Sequence, residues 1–549
     1  MHRPLSITAA ALTVAMLGGI AEMATAQDNP SAPAVKAHGV FEITLRSDKT
    51  FANPFRDAQA KAVFTSPSGK KTEVAGFYYG ADQWRVRFVP AEAGEWSYSA
   101  VLTAGDGPPL RQKGTFTCRG QGAKGFLRLS RRNPYRMEYG DGTPFYPIGI
   151  QTCGYFQVGF DGPAGGGRGG QSSLPADQWC KAFEGAVNLI RWQLGAGTRA
   201  GCALALIPEN GPIDRYDTDL AAKMDELFAL QRAHGFRHIL ILFQDMSLWG
   251  NGATSFGTGR DLKTYKSLKA VNLPDQEAFL RYVVARWGCW VDIWELFNED
   301  SYAPDDYLAH LAKIVRDADP YDHILTTNYA RPRADWCEIV TWHEYMGMDA
   351  AEVDAYVAGE IAKFKAYGKV VQNTEFGNQG WRSNYDPVKW RIAVWTAFMN
   401  ESGMLFWGMS GRKTVGRRPY RGNANAYIGP ESRQSFRVLN EFTRDMPVDM
   451  RPVASGYTEH NDIRTYALSN GAVSALYVHH FSDHGKAYTF PGELFVQTGP
   501  GKFQVKWIDP ADGKVVREDA VETAHQYLPL KLPPVQIDLT CRIDRVDSR

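Results

Sequence analysis

The chain has 549 residues, and Lys+Arg 61 against Asp+Glu 60 gives a formal net charge of +1. That length exceeds one ordinary domain, and so even a charge balance gives no reason to expect nucleic acid or an anionic membrane as the main partner. The seven cysteines (Cys118, Cys153, Cys180, Cys202, Cys289, Cys337 and Cys541) follow no CxxC or other metal spacing. An odd count in so large a chain reads as mostly buried thiols, not as a disulfide framework.

Residues 1–26 read as a signal peptide. Arg3 supplies positive charge, the run from Ile7 to Ala21 is mostly apolar, and Ala24-Thr25-Ala26 is a small-x-small cleavage site. The expected mature chain starts near Gln27 in a periplasmic or secreted compartment. No later stretch of about 20 apolar residues is present to cross a bilayer as a helix, so no membrane insertion is expected.

Residues 27–120 read as an N-terminal Ig-like β-sandwich that follows a Pro/Ala/Ser-rich linker. "FEITLR" alternates Phe41, Ile43 and Leu45 with Glu42, Thr44 and Arg46, and "WRVRFVP" alternates Trp84, Val86 and Phe88 with Arg85 and Arg87. Turn clusters such as Ser66-Pro67-Ser68-Gly69 separate the strands.

Residues 121–445 have a different texture, because apolar strand-like runs alternate with helical stretches. The runs start at "FYPIGIQTCGY" (145), "AVNLIRWQL" (186), "RHILILFQD" (237), "VDIWELFNE" (291), "ILTTNY" (324), "IVTWHEY" (339), "KVVQNTEFG" (369) and "MLFWGMSG" (404). Between the second and third runs, "DTDLAAKMDELFALQRAHG" offers Asp217 or Thr218 as N-cap and Gly235 as a stop. Eight β/α repeats predict an α/β fold, a (β/α)8 TIM barrel. The glycine-rich "GPAGGGRGG" (162–170) lacks the Lys-Ser/Thr of a phosphate loop and reads as a βα loop.

Residues 446–549 return to short strands and read as a C-terminal β-sandwich. Ser469-Asn470-Gly471 and Asp509-Pro510-Ala511-Asp512-Gly513 supply its turns, and "HHFSDH" (His479 to His484) is expected to be a surface turn.

A barrel of this kind carries its chemistry at the C-terminal ends of its strands. The expected strand ends hold Asn188 and Arg191 (second strand), Gln244 and Asp245 (third), Asn298 and Glu299 (fourth), Asn328 (fifth), His343 and Tyr345 (sixth), Glu375 (seventh) and Trp407 (eighth). Two opposed glutamates, ringed by amide donors and aromatic faces, are what cleavage of a glycosidic bond requires. In "WELFNED" (294–300), alternation puts Glu295 on the side of Glu299 and Asn298 on the other. A buried carboxylate needs partners, so Glu295 is expected to be structural and to pair with Arg191.

The ordered set "NLIR", "WELFNE", "HEY", "NTEFG" and a strand-eight Trp resembles clan A of the retaining glycoside hydrolases, which includes the cellulase- and mannanase-like family 5 and apiosidase-like barrels. The resemblance covers the barrel. It implies Glu299 as general acid/base and Glu375 as nucleophile. It also implies Asn298 on the substrate's 2-hydroxyl, Arg191 and Tyr345 holding the nucleophile ionised, and Trp407 flooring the sugar subsite. His343, Asn328 and Gln244 complete the expected substrate-binding set, although Gln244 stands where family 5 commonly has a His. Glu299, beside a charged Glu375, is expected to have its pKa raised.

No metal or other cofactor is expected, and the expected partner is an oligosaccharide or polysaccharide. A non-catalytic carbohydrate-binding protein on the same scaffold is the alternative reading. His343 as a packed core histidine also stays open, as does the basic loop from Arg412 to Arg421, either solvated or reading an acidic sugar.

Overall fold

The computed structural model describes residues 24–25 and 33–546, except 106, 121, 152–175, 197–203, 208–211, 245–272, 300–302, 330, 345–347, 378–385, 407–427 and 458–460. Eight parallel strands form the barrel: β1 Ile148–Gln151, β2 Leu189–Ala196, β3 Arg237–Gln244, β4 Ile293–Asn298, β5 Ile324–Thr326, β6 Ile339–Glu344, β7 Val370–Phe376 and β8 Ser402–Phe406. Backbone ladders run in the order β5-β4-β3-β2-β1-β8-β7-β6. The β5/β6 seam is closed by the amide of Glu338 donating to Leu325 O and by Thr326 Oγ1 donating to Ile339 O, at 2.8 and 2.7 Å.

Seven helices lie among the described residues: α1 Ala176–Phe183, α2 Thr218–Ala233, α3 Leu273–Trp287, α4 Asp305–Ala318, α5 Val353–Lys365, α6 Pro387–Met399 and α7 Pro430–Thr443. One follows every strand except β5, so the fifth repeat departs from the expected pattern. The described part of the β5–β6 connection is a set of turns, and Lys369 Nζ caps its Ala334 and Cys337 carbonyls at 2.9 and 2.8 Å. The α2 boundaries are as expected, with Asp217 accepting from Leu220 N at 2.8 Å and Gly235 at φ +83° beyond the last turn.

One apolar layer fills the barrel floor: Leu189, Ile239, Ile293, Ile324, Ile339, Val370 and Leu405. Strand β1 contributes Gly149 at this level, where a Cβ would lie 2.4 Å from Leu405 Cγ and 2.7 Å from Leu189 O. Leu127, Met137 and Phe145, on a small antiparallel sheet, plug the layer from below. Buried Asp292 ties plug to barrel, accepting from Leu127 N at 3.1 Å and from Arg232 Nη1 at 2.6 Å. Above this floor the inward positions turn polar, and that change of lining is what creates a site.

Two antiparallel flanks complete the chain. Strands 41–46, 77–80 and 83–88 face strands 34–36, 58–65, 71–75, 94–104 and 110–119 across a core where Phe41 stacks on Phe116 with centroids 3.9 Å apart. Ala24 and Thr25 lie alongside Phe41 and Glu42. At the other end, a six-stranded and a three-stranded sheet enclose Leu476, Val478, Phe503, Val505 and Trp507.

Both flanks join the barrel through buried charges. Arg87 donates to Glu42 Oε2 at 2.8 Å and to Asp225 Oδ2 of α2 at 2.6 Å, and Arg286 of α3 also grips Asp225. Burial works against the Asp225 charge, but Arg87 and Arg286 outweigh it and hold the carboxyl below its usual range. At the C-terminal flank, Arg391 of α6 pairs with Asp538 at 2.7 Å, and Asp354 of α5 takes Arg464 at 2.7 Å and His479 Nδ1 at 2.9 Å. His479 is therefore a buried interface residue, correcting the surface-turn expectation. It is the penultimate residue of the strand Val473–His480, which packs against α6. Cys118, Cys180, Cys289, Cys337 and Cys541 are buried thiols, whereas Cys153 and Cys202 lie outside the described residues.

Candidate active site

The centre of the barrel is organised by one guanidinium. Arg191 is fully buried on β2. Its Nε donates to Glu295 Oε2 at 2.7 Å, its Nη2 to Asn298 Oδ1 at 2.9 Å, and its Nη1 to Glu375 Oε1 at 2.6 Å and to Gln151 Oε1. Burial alone would disfavour this charge, but Glu295 and Glu375 more than compensate, and the guanidinium pKa lies above its ordinary value. Arg191 thus stays cationic, and its planar fork fixes three carboxyl or amide groups from β4 and β7 at once.

Glu375 reaches this centre because β7 carries a one-residue bulge. Thr341 pairs with Gln372 and Trp342 with Asn373, but His343 pairs with Glu375, so Thr374 is the extra residue. Strict alternation from Val370 in the interior layer would turn Thr374 inward and Glu375 outward. The bulge reverses that parity and brings Glu375 level with His343.

Glu299 lies just beyond the end of β4, at φ +49°. A non-glycine residue in this left-handed region costs roughly 1–2 kcal/mol, and such strain clusters at functional sites. Alternation already fails before Glu299, because Phe297 packs against Tyr307 of α4. Asn298 does not face away from Glu295, since both accept from Arg191 Nη2, while Glu299 turns to the mouth. His343 Nδ1 lies 2.8 Å from Glu299 Oε1 and 3.7 Å from Glu375 Oε2. One contact atom each from Glu299, His343 and Glu375 lie within 4.8 Å of one another. The two carboxylates differ sharply in surroundings, with Glu299 33% exposed and Glu375 3%.

The remaining expected residues divide. Asn328 is wholly buried and donates from Nδ2 to Thr341 Oγ1 at 3.0 Å, which places it in the β5/β6 seam. Asn188 is not at a strand end: it precedes β2 at the floor, accepting from Ile148 N at 3.0 Å and donating to Tyr146 O at 2.8 Å. Gln244 ends β3, but its side chain is outside the described residues, as are Tyr345, Trp407, Asp245, the 162–170 stretch and the 412–421 loop. Gln151 is the member that sequence reasoning missed. Its only signal was a polar residue closing the "IGIQ" strand.

Glu299, His343 and Glu375 form the one group among the described residues whose donor atoms could converge on a metal ion. Arg191 already supplies Glu375 with a cation at 2.6 Å, so a metal there would have to share the carboxylate with a guanidinium.

Comparison with known proteins supports the fold. A family described as "Domain of unknown function (DUF5060)" matches residues 34–103, within the N-terminal flank. No curated protein matches the chain. Among solved structures, a candidate glycoside hydrolase from Bacteroides vulgatus superposes with a TM-score of 0.66 at 18% identity, over 93% of this chain and 100% of its own. A family 5 glycoside hydrolase from the same organism gives 0.54 at 13% identity, over 77% and 93%. A third structure, a glycoside hydrolase, gives 0.52 at 14% identity, over 77% and 97%. The chain therefore has a glycoside hydrolase-like fold, a TIM barrel with flanking β domains, in keeping with the clan A resemblance of its strand-end motifs.

Proposed function

We propose that this protein is an exported retaining glycoside hydrolase acting on an oligosaccharide or polysaccharide, with its catalytic barrel at 121–445. The observation that carries the reading is the pair Glu299 and Glu375, held within 4.8 Å through their nearest donor atoms, with Arg191 on one and His343 on the other. Retaining enzymes place their carboxyl groups about 5–5.5 Å apart, whereas inverting enzymes leave about 6.5–9.5 Å for a water. The short spacing supports double displacement.

In the first step Glu375 attacks the anomeric carbon, the bond to the glycosidic oxygen breaks, and Glu299 gives that oxygen a proton. In the second step Glu299 takes a proton from water, whose oxygen bonds the anomeric carbon as the bond to Glu375 breaks. The environments suit these roles. Glu375 is sealed beside a permanent cation, while Glu299 is partly open to the solvent and leaving group that it must exchange protons with. The side-chain amide of Asn298, fixed by Arg191, supports a contact to the sugar's 2-hydroxyl. The apolar run and small-x-small site before Gln27 support export.

The test is release of reducing sugar from a panel of plant and microbial polysaccharides, run beside Glu375→Gln. Release by the parent and none by the variant supports the reading. Binding to a polysaccharide without release by either would favour the carbohydrate-binding alternative.

A further inference from the structure

The motif "HHFSDH" (479–484) takes no part in the catalysis proposed above. It nevertheless sets two imidazoles nose to nose at the seam between the barrel and the C-terminal flank. His479 Nε2 lies 3.1 Å from His484 Nε2. The other ring nitrogen of His479, Nδ1, lies 2.9 Å from Asp354 Oδ2 of α5, and both of these side chains are wholly buried. The turn that carries His484 is tied back to the flank by Gln536 Nε2, which donates to His484 O at 2.9 Å.

This spacing fixes how many protons the pair can hold. Each imidazole nitrogen is a donor or an acceptor, and an ionised carboxylate only accepts, so the Nδ1 that faces Asp354 carries a proton. Between the two Nε2 atoms there is room for one more. With both rings neutral, His484 donates and His479 accepts. With one positive charge on the pair, His479 donates to Asp354 and to His484, and its charge lies against the carboxylate. With both rings positive, two N–H groups face each other across 3.1 Å with no acceptor between them, and the contact has to part.

The surroundings do not relieve that third state. Asp354 already takes Arg464 Nη1 at 2.7 Å and the Tyr466 hydroxyl at 3.1 Å, both from the neighbouring strand Ile463–Ser469. Asp538 would attract a cationic His484, but it is held by Arg391 of α6 at 2.7 Å and by the Tyr477 hydroxyl at 2.8 Å. His480 and Arg391 add positive charge on the same side. Asp483, in the turn itself, is taken up by Gly485 N at 2.7 Å and the Tyr488 hydroxyl at 2.9 Å.

We propose that His479 and His484 form a proton-counting latch, which holds the C-terminal flank on α5 while the pair carries at most one positive charge and frees that seam when acid adds a second. Burial first, and then His479, hold the His484 pKa below its ordinary value. The closed seam therefore binds fewer protons than the opened one. Its contribution is fully present above the unfolded histidine value, about 6.5, and is lost as pH falls through the folded value.

Hydrogen exchange of the full chain between pH 7.5 and 5.5, expressed as protection factors so that the intrinsic pH dependence cancels, tests this. In the parent, peptides covering 353–365 and 473–484 should lose protection as pH falls, by up to about tenfold per pH unit, the limit for uptake of one proton. Peptides covering β3 and β4 should keep theirs. His484→Gln keeps an amide donor for His479 Nε2 but does not titrate, so its seam should show a flat profile. His525→Gln, at an exposed histidine of the same flank, should follow the parent. A parent profile as flat at the seam as in β3 and β4 overturns the latch, and so does a His484→Gln seam that keeps the parent's slope. Should His484→Gln fail to fold, the parent profile decides alone: a slope confined to the seam supports the latch, and a flat or chain-wide response overturns it.

Discussion

Arg191 and Glu375 meet at 2.6 Å inside the barrel, and the same guanidinium is held from behind by Glu295. Three strands thereby fix one another's functional groups: β2 supplies the cation, β4 the supporting carboxylate and Asn298, and β7 the buried carboxylate of Glu375. Glu295 answers the need for a partner that any buried carboxylate has. It also sets the plane of the guanidinium, and with it the direction from which Glu375 is approached.

Breaking this cluster should be costly. Arg191→Met would leave Glu295 and Glu375 buried as neighbouring carboxylates without a cation, and removing one partner of a buried pair costs about 3–5 kcal/mol. The expected outcome is a protein of lowered thermal stability and no measurable turnover. Arg191→Lys keeps a charge but not the fork, so it should recover part of the stability and little of the activity. Thermal denaturation and rate assays on the two variants check this; a fully active Arg191→Met would remove the guanidinium from the account.

The N-terminal flank should make stability depend on acid. Asp225 has its pKa held below the ordinary carboxylate value by Arg87 and Arg286. A depressed folded-state pKa contributes stability above the unfolded value, about 3.9, and that contribution is lost as pH falls through the folded value. Burial opposes the charge on Asp292 and Asp354 as well, but Arg232 and Arg237 depress the first, and the hydrogen bond from His479 with Arg464 depresses the second. Denaturant unfolding of the parent should therefore weaken as pH drops below about 4. Asp225→Asn should be less stable at pH 7 and should show a shallower acid decline. An unchanged decline would mean that the Arg87–Asp225–Arg286 cluster contributes nothing to the linkage.

Glu299 and Glu375 act in this account through protons and a covalent bond, with Arg191 as the resident cation. Activity of the purified protein should be unaffected by prolonged dialysis against a chelator and should not rise on adding divalent cations. Loss on chelation with recovery on one metal would assign the Glu299–His343–Glu375 group to that ion.

The sequence made the barrel legible because each strand is a short apolar run, and Arg191, Glu295, Asn298, Glu299 and Glu375 all fall on strands that it marks. What it concealed is where alternation fails. Period-two reading separates Asn298 from Glu295, yet both meet Arg191, while Phe297 between them packs against Tyr307 of α4. The insertion at Thr374 that aims Glu375 inward is invisible in "NTEFG", since a bulge is a property of the pairing with β6 and not of one strand. Neither Asn188 nor Arg191 ends β2: Asn188 precedes it at the floor and Arg191 is its third residue, because the strand runs on to Ala196. Among the described residues β5 is followed by turns and not by a helix, and Lys369, a partner distant in sequence from β5, caps their carbonyls.

The most direct test of the account uses Glu299→Gln with an activated aryl glycoside that the parent hydrolyses. The leaving group departs without a proton, whereas water then lacks its base, so a glycosyl-enzyme should accumulate. A burst of aryl alcohol equal to one per enzyme is expected, together with a mass increase of one glycosyl unit mapping to the peptide that contains Glu375. A natural substrate, whose leaving group needs the proton, should slow by roughly 10²–10⁴. No burst and no adduct, or an adduct on a residue other than Glu375, would contradict the assignment of Glu375 as nucleophile and Glu299 as acid/base.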